Sequence, residues 1–141
     1  MSPKETPRPL EEAAERVGDR WVLLVVDALL DGPRKFGELA GTVAGIAPNI
    51  LSERLRRLES DGLVISRPYS RRPLRLMYEL TAPGRELTGT LKMLAQWGAR
   101  RSGEEALPIH HACGTGMEAR WFCPTCSHVV DEAEMGDLFF A

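Results

Sequence analysis

A mainly α (α+β) fold with a small C-terminal attachment is predicted by three features of the sequence. Four segments with helical spacing of apolar residues lie between residues 10 and 60, and two strand-like segments and a further helical pattern follow. The last helix before the strands has a basic side, and the link between the strands carries two arginines. All cysteines and two of the three histidines lie within residues 110–126. We therefore expect a flexible leader at residues 1–9, a domain at residues 10–102 and a small module at residues 103–141.

The composition is typical of a globular protein, and the use of cysteine indicates the cytoplasm. The 141 residues are 43% hydrophobic and 27% charged, which allows a real core. The longest strongly apolar run, residues 21–26, is far too short to cross a membrane, and no secretory signal is visible. An odd number of cysteines without such a signal indicates a reducing compartment and no disulfide framework.

Charge is unevenly distributed along the chain. The net charge is only −2, but residues 34–77 carry nine basic and four acidic residues, whereas residues 103–141 carry seven acidic residues and one arginine. A basic middle segment in an acidic chain indicates a local anionic partner. The nine basic residues are Arg34, Lys35, Arg54, Arg56, Arg57, Arg67, Arg71, Arg72 and Arg75.

The first three predicted helices are short. An amphipathic segment at residues 10–17 comes first, and Asp19 is placed to cap a second helix at residues 21–30. A third helix is predicted over residues 36–43, after the break at Gly32-Pro33. Its inward-facing residues are expected to be Phe36, Leu39 and Ala40.

The fourth predicted helix, residues 48–60, has two different sides. Pro48 suits its first turn, and three leucines recur at i, i+4 and i+7 to form one apolar stripe. These leucines are Leu51, Leu55 and Leu58. The opposite side is polar and partly basic, with Asn49, Glu53 and Arg56 flanked by Ser52 and Arg57. One side is therefore predicted to be buried and the other to be free for a partner.

A hairpin with a basic tip follows that helix. Strands are predicted at residues 63–70 and 74–80, joined by Arg71-Arg72-Pro73. Thr81 then caps a long last helix at residues 82–101, with Leu87, Leu91, Leu94 and Trp97 along one side. This order is that of a winged helix-turn-helix, in which one helix can enter the major groove of DNA, about 12 Å wide, and the wing reaches the flanking backbone.

Four stretches resemble the HxlR-type transcriptional regulators, relatives of the MarR group. They are RWVLLVVDALLDGPRKFGEL (20–39), GIAPNILSERLRRLESDGLVISR (45–67), PLRLMYELTAPGREL (73–87) and LAQW (94–97). The order and spacing of these stretches carry the resemblance. It implies a homodimer that binds double-stranded DNA, with dimer contacts from the first and last helices. The candidates are Leu10, Val17, Leu87, Leu91, Leu94 and Trp97, for each of which packing in the monomer core is the alternative.

Two positions depart from the pattern of the HxlR-type proteins. Members commonly carry an arginine directly before the phenylalanine of the third helix, where this chain has Lys35. Lysine keeps the charge but not the bidentate phosphate geometry. Many members also have a cysteine just before the first helix, and residues 6–9 contain none. A thiol-sensing mechanism of that type is therefore not expected.

The expected function is regulation of transcription, with repression as the expected output. Asn49, Ser52 and Arg56 are predicted to face base edges, while a second group contacts phosphates or the minor groove. The second group consists of Arg34, Lys35, Arg57, Arg71, Arg72 and Arg75. No membrane contact is expected, and the identity of any small-molecule effector is left open.

A protein-interaction module is the alternative function. A winged helix followed by a small module rich in cysteine and histidine also resembles the archaeal general factor TFE, which works mainly through polymerase contacts. An enzyme is not expected, because all three histidines lie in the C-terminal module and no nucleophile–base pattern is visible elsewhere.

The cysteines and histidines of the C-terminal module have the spacing of a zinc ribbon. His110-x-x-Cys113 and Cys123-x-x-Cys126 are separated by nine residues, which include a strand-like arm at residues 117–122. A two-residue gap lets one tight turn present two side chains to one ion, and zinc prefers four soft or borderline ligands. The sequence therefore predicts one structural Zn²⁺ ion held by His110, Cys113, Cys123 and Cys126.

Alternatives remain open at this module. His111 or His128 could replace His110 as the fourth ligand, and Cys123 and Cys126 could be a redox pair. The redox pair is less favoured because such motifs normally follow a strand and open a helix. Residues 129–141 could finish the ribbon as a pair of strands, or Phe139 and Phe140 could dock on the dimer.

Overall fold

The computed structural model describes residues 8–138 as a mixed α+β winged-helix chain with two compact units, divided between Leu91 and Lys92. Within the described residues no helix combines the length and the apolar character needed to cross a bilayer. The N-terminal unit contains α1 (Pro9–Val17), α2 (Arg20–Leu30), β1 (Arg34–Lys35), α3 (Phe36–Thr42), α4 (Pro48–Ser60), β2 (Val64–Arg71), β3 (Leu74–Leu80), α5 (Ala82–Arg85) and the start of α6 (Thr88–Arg101). The rest of α6, β4 (Trp121–Cys123), β5 (His128–Val130) and a 3-10 helix (Met135–Asp137) belong to the C-terminal unit.

The predicted N-terminal helices are present with small changes at their ends. Helix α1 begins at Pro9, so it takes the last residue of the predicted leader, and residues 1–7 lie outside the described residues. Asp19 caps α2 as predicted, since its Oδ1 accepts the backbone N–H of Trp21 at 3.0 Å and of Val22 at 3.1 Å. A cap of this kind stabilises a helix by about 1 kcal/mol.

Burial of apolar side chains fixes the orientation of α4. Its three leucines are buried as predicted, and they pack with residues of α2, α3 and the sheet. A fully buried leucine contributes about 2 kcal/mol relative to an exposed one, so rotating the helix would lose several kcal/mol. The opposite side of α4 is therefore held facing outward. The other core residues are Val22, Val25, Val26, Ala28, Leu29, Leu39, Val43, Ile46, Val64, Leu80 and Leu91.

The predicted hairpin belongs to a three-stranded antiparallel sheet of order β1-β3-β2. Strand β1 pairs with β3, Arg34 with Tyr78 and Lys35 with Met77. It was not predicted, because two residues are too few to show the alternation of a strand. In the hairpin Arg71 pairs with Leu74, so Arg71 is the last strand residue. The turn itself is therefore shorter than predicted.

The prediction of one long last helix over residues 82–101 is wrong, because the helix is broken after Arg85. Thr81 Oγ1 accepts the backbone N–H of Gly84 at 3.2 Å, which confirms the predicted cap. The N–H of Leu87 then bonds to Gly84 O rather than to the carbonyl four residues back. The hydroxyl of Thr88 donates to Arg85 O at 2.6 Å at this break. A new helix, α6, starts at Thr88.

The C-terminal unit contains a short antiparallel hairpin. Trp121 pairs with Val130 and Cys123 with His128. The predicted arm at residues 117–122 is a strand only from Trp121 onwards. Of the predicted tail, residues 129 and 130 lie in β5, a 3-10 helix follows, and Phe139 and Phe140 lie outside the described residues.

Candidate nucleic-acid interface and metal site

The outward side of α4 carries the three residues predicted to contact bases. Asn49 and Arg56 are exposed and Ser52 is half-buried. The Nε atom of Arg56 lies 3.4 Å from Ser52 O, which is long for a hydrogen bond, so the guanidinium remains available to another acceptor. This side of α4 can therefore offer hydrogen-bond donors and acceptors to a partner while the core stays intact.

Arg54 joins α4 to the N-cap of α2, a role that the sequence did not reveal. Its Nε lies 2.9 Å from Asp19 Oδ1, its Nη2 lies 3.3 Å from Asp19 Oδ2, and its Nη1 lies 3.0 Å from Glu53 Oε1. The hydrogen bond from Arg54 is the main reason that the pKa of Asp19 is lowered, and the N–H of Val22 adds to the effect. The capping aspartate was visible in the sequence, but nothing linked it to an arginine 35 residues away.

Two arginines predicted to contact phosphates are bonded to backbone carbonyls. Arg34 Nε donates to Ala28 O at 2.7 Å, and Arg57 Nη2 donates to Glu15 O in α1. Arg34 Nη2 also lies 3.6 Å from a carboxylate oxygen of Asp31. Both side chains therefore connect elements of the N-terminal unit. A guanidinium has five N–H donors, so each arginine keeps donors for a phosphate.

The tip of the β2–β3 hairpin carries unopposed positive charge. Arg71, Arg72 and Arg75 are exposed, and no ion pair to any of them occurs among residues 8–138. Arg67, further from the tip, pairs with Glu79 at 2.7 Å. The three tip arginines are therefore the ones most available to phosphates.

Lys35 connects the start of α3 with the hairpin. Its Nζ lies 4.6 Å from the centre of the Tyr69 ring in β2, within the range of a cation–π interaction. The lysine is exposed, so its charge can still reach an anion. This position fits the phosphate contact predicted for Lys35.

The two Cys/His turns of the C-terminal unit share one backbone geometry. The N–H of Gly114 donates to His110 O at 2.8 Å, and the N–H of Ser127 donates to Cys123 O at 2.8 Å. Gly114 and Ser127 have φ values of 70° and 55°, in the left-handed region that residues other than glycine rarely adopt. Each pair of predicted ligands is therefore followed by a left-handed residue that closes the same type of turn.

Within each turn the predicted ligands lie close together. His110 Nδ1 lies 3.2 Å from Cys113 Sγ, and the N–H of Cys126 lies 3.5 Å from Cys123 Sγ. The contact with this N–H lowers the pKa of the Cys123 thiol. Across residues 8–138, no three His, Cys, Asp or Glu side chains come together in a group that could hold a metal ion. The structure thus brings the four predicted ligands together as two pairs.

The residues predicted for the dimer contact divide between the core and the surface. Three of them are buried or pack against the core: Val17, Leu87 and Leu91. Leu10 is 78% exposed, Leu94 is 47% exposed and Trp97 is 56% exposed. The exposed three are the ones available to a second copy of the chain.

The comparisons with known proteins agree on one family. The chain matches the HxlR-like helix-turn-helix family over residues 16–106. An HTH-type transcriptional regulator of Mycobacterium tuberculosis is 39% identical over 122 residues, which cover 84% of this chain and 77% of the relative. Coverage of 84% of the chain is more than residues 1–106 contain, so the similarity to this relative extends beyond residue 106.

Solved structures show the same fold. The redox regulator HypR in its reduced form has a TM-score of 0.64 and 28% identity, over 67% of this chain and 94% of HypR. The HTH-type transcriptional regulator ytcD has a TM-score of 0.64 and 32% identity, over 70% of this chain and 100% of ytcD. Such proteins are transcriptional regulators of the winged-helix type and not enzymes. The chain therefore belongs to the HxlR-like helix-turn-helix family of DNA-binding transcriptional regulators.

Proposed function

We propose that the protein binds double-stranded DNA sequence-specifically as a homodimer and represses the genes it controls. The observation that carries this proposal is the outward polar side of α4, which the buried leucines hold in place, together with the three exposed arginines of the hairpin. Phosphate contacts supply affinity and contacts with base edges supply sequence preference. Repression is the simplest output, because a dimer lying across a promoter excludes polymerase without any further contact.

In this proposal α4 enters the major groove. Asn49, Ser52 and Arg56 contact base edges, since asparagine can pair with adenine and arginine with guanine through two hydrogen bonds. The hairpin arginines and Lys35 contact phosphates or the minor groove. Arg34 and Arg57 contribute through the donors that their backbone contacts leave free.

Fluorescence anisotropy tests sequence-specific binding. DNA from upstream of the protein's own gene is compared with scrambled DNA over a series of salt concentrations. We expect the upstream DNA to bind tighter by about 10³-fold or more. Weak binding that is equal for both DNAs and fades with salt would contradict the proposal, because it would leave only an electrostatic patch.

The homodimer rests on apolar side chains that a monomer leaves in water. Leu10 on α1 and Leu94 and Trp97 on α6 are exposed, although the core of the N-terminal unit is complete without them. Large exposed apolar side chains at helical spacing are typical of a helix that packs against a partner. A two-fold dimer would also place two α4 helices on a palindromic DNA site.

Trp97→Arg is expected to convert the dimer to a monomer and to weaken DNA binding by about 10-fold or more, because one half-site holds less tightly than two. Light scattering after size-exclusion chromatography gives the mass, and anisotropy gives the affinity. Ala95→Arg, at another exposed position of α6, is the matched control and is expected to leave the mass unchanged. The homodimer would be contradicted if the wild type were a monomer and bound the same DNA no more tightly than Trp97→Arg does.

We also propose that the C-terminal unit holds one structural Zn²⁺ ion through His110, Cys113, Cys123 and Cys126. Tetrahedral zinc places neighbouring N and S ligands about 3.6 Å apart, close to the 3.2 Å between His110 Nδ1 and Cys113 Sγ. The matching turns support two such pairs around one ion. His110 is favoured over His128 because of its two-residue spacing from Cys113 and the short distance between their ligand atoms. His128 stays the alternative ligand, since its contact with Glu134 uses Nε2 at 3.1 Å and leaves Nδ1 for a metal.

Removal of the metal is expected to unfold the C-terminal unit and to leave the N-terminal unit folded, because the core that holds the N-terminal unit lies within residues 22–91. Elemental analysis of the reduced protein should give one zinc per chain, and Cys113→Ser or Cys123→Ser should lose it. Ser102→Ala is the control, and hydrogen exchange reports each unit separately. The site would be refuted if the reduced protein contained no metal and all three thiols reacted freely with a thiol reagent.

A second candidate function is contact between the C-terminal unit and the transcription machinery. Trp121 is 55% exposed and Phe122 is 59% exposed on a segment that carries seven acidic residues and one arginine. Exposed aromatic residues are typical of protein interfaces. Capture of polymerase by the full chain, together with weak and unspecific DNA binding, would favour this function over the first.

A further inference from the structure

The outward side of α4 contains one carboxylate that the DNA-binding roles above leave unused. Of the two glutamates of α4, Glu59 is half-buried, whereas the Glu53 side chain is 65% exposed. Glu53 lies four residues after Asn49 and three before Arg56, so it shares their side of the helix. A carboxylate placed against phosphates would be repelled, which makes a position over the bases the favourable one for Glu53.

The contacts of Arg54 orient Glu53. Arg54 is only 19% exposed, and two of its nitrogens bind the Asp19 carboxylate. Its remaining nitrogen lies 3.0 Å from Glu53 Oε1. Because one guanidinium serves two carboxylates, the three side chains together keep one negative charge. Asp19 is itself fixed at the N-cap of α2, so the orientation of Glu53 is tied to the packed part of the unit.

The chemistry of the major groove selects the base. A carboxylate only accepts hydrogen bonds, and guanine N7 and O6 and thymine O4 are acceptors that repel it. Adenine offers its N6 amino group beside the acceptor N7. Cytosine offers its N4 amino group, for which glutamate and aspartate are the matching side chains.

Building on the proposed DNA-binding function, we propose that Glu53 is a specificity-determining residue that accepts a hydrogen bond from the N4 amino group of one cytosine in each half-site. Arg54 acts as its positioning residue. Glu53 thus excludes the other three bases at this position, while Asn49 and Arg56 read neighbouring positions.

The test selects binding sites from a randomised duplex library with the wild-type chain, Glu53→Gln and Glu59→Gln. We expect a cytosine at one position of each wild-type half-site. Glu53→Gln should lose this preference or shift it to adenine, and should bind the wild-type site about 5- to 100-fold more weakly. Glu59→Gln removes the same charge from the same helix and should select the wild-type site.

The alternative outcomes have different meanings. The role of Glu53 would be overturned if the wild type and Glu53→Gln selected one site with the same base preferences and the variant bound all DNA more tightly. That result would leave the proposed DNA-binding function standing. No enrichment by any of the three chains would overturn both. Arg54→Lys, once circular dichroism shows that it is folded, should weaken the preference for cytosine and leave the preferences at the other positions unchanged. Equal weakening of the base preference at every position would assign Arg54 a structural role only.

Discussion

Alanine at both Arg71 and Arg72 is expected to weaken binding to every DNA duplex by about 50-fold at 0.1 M salt. Both side chains are exposed at the hairpin tip, and no described carboxylate pairs with them, so each is free to neutralise one phosphate. Loss of two phosphate contacts should reduce the slope of log K against log salt by about 1.8, because each contact contributes about 0.9. Anisotropy at several salt concentrations measures both quantities.

The matched control for the hairpin is Arg100→Ala with Arg101→Ala. This pair removes the same charge from exposed positions at the end of α6. We expect a small loss of affinity and an unchanged preference between upstream and scrambled DNA. An equal loss in the two double variants would mean that net charge, and not the hairpin, attracts DNA. Unchanged affinity and slope in the hairpin variant would remove the hairpin from the interface.

Features set by neighbouring residues could be predicted from the sequence. The stripe of Leu51, Leu55 and Leu58 predicted which side of α4 is buried, since helical spacing alone determines it. The cap by Asp19 depends only on the next three residues, and the two Cys/His turns depend on spacings of two. In each case the interacting atoms lie within about one or two helical turns of the same segment.

Features set by distant residues could not be predicted. Strand β1 exists only because β3, about 40 residues later in the chain, pairs with it. Arg57 was predicted to contact phosphate, but its bond to the Glu15 carbonyl depends on how α1 packs against the fourth helix. The same limit applies to Arg54, which looks like one more basic residue until Asp19 is seen beside it.

The second large effect is expected at Asp19. Asp19→Ala should lower the free energy of unfolding by about 2 kcal/mol at pH 7, because α2 loses its N-cap and the half-buried Arg54 loses its main partner. Urea denaturation followed by circular dichroism measures this difference. Asp27→Ala, an exposed change on the same helix, is the control and should stay within about 0.5 kcal/mol of the wild type. Equal stability of the Asp19 variant and this control would show that the cap and the Arg54 contact contribute little.

The pH dependence distinguishes the charge of Asp19 from the shape of its side chain. The hydrogen bond from Arg54 lowers the pKa of Asp19 in the folded protein below the unfolded value of about 3.9. The stabilising contribution is therefore fully present above about pH 4 and is lost as the pH falls through the lower folded pKa. The difference between wild type and Asp19→Ala should stay constant from about pH 7 to 5 and shrink below about pH 4. A difference that persists in strong acid would mean that a neutral hydrogen bond supplies the stability. Arg54 contacts Glu53 as well as Asp19. Folded Asp19→Ala is therefore expected to lose part of the preference for cytosine near neutral pH. This loss would link the cap of α2 to base recognition by α4.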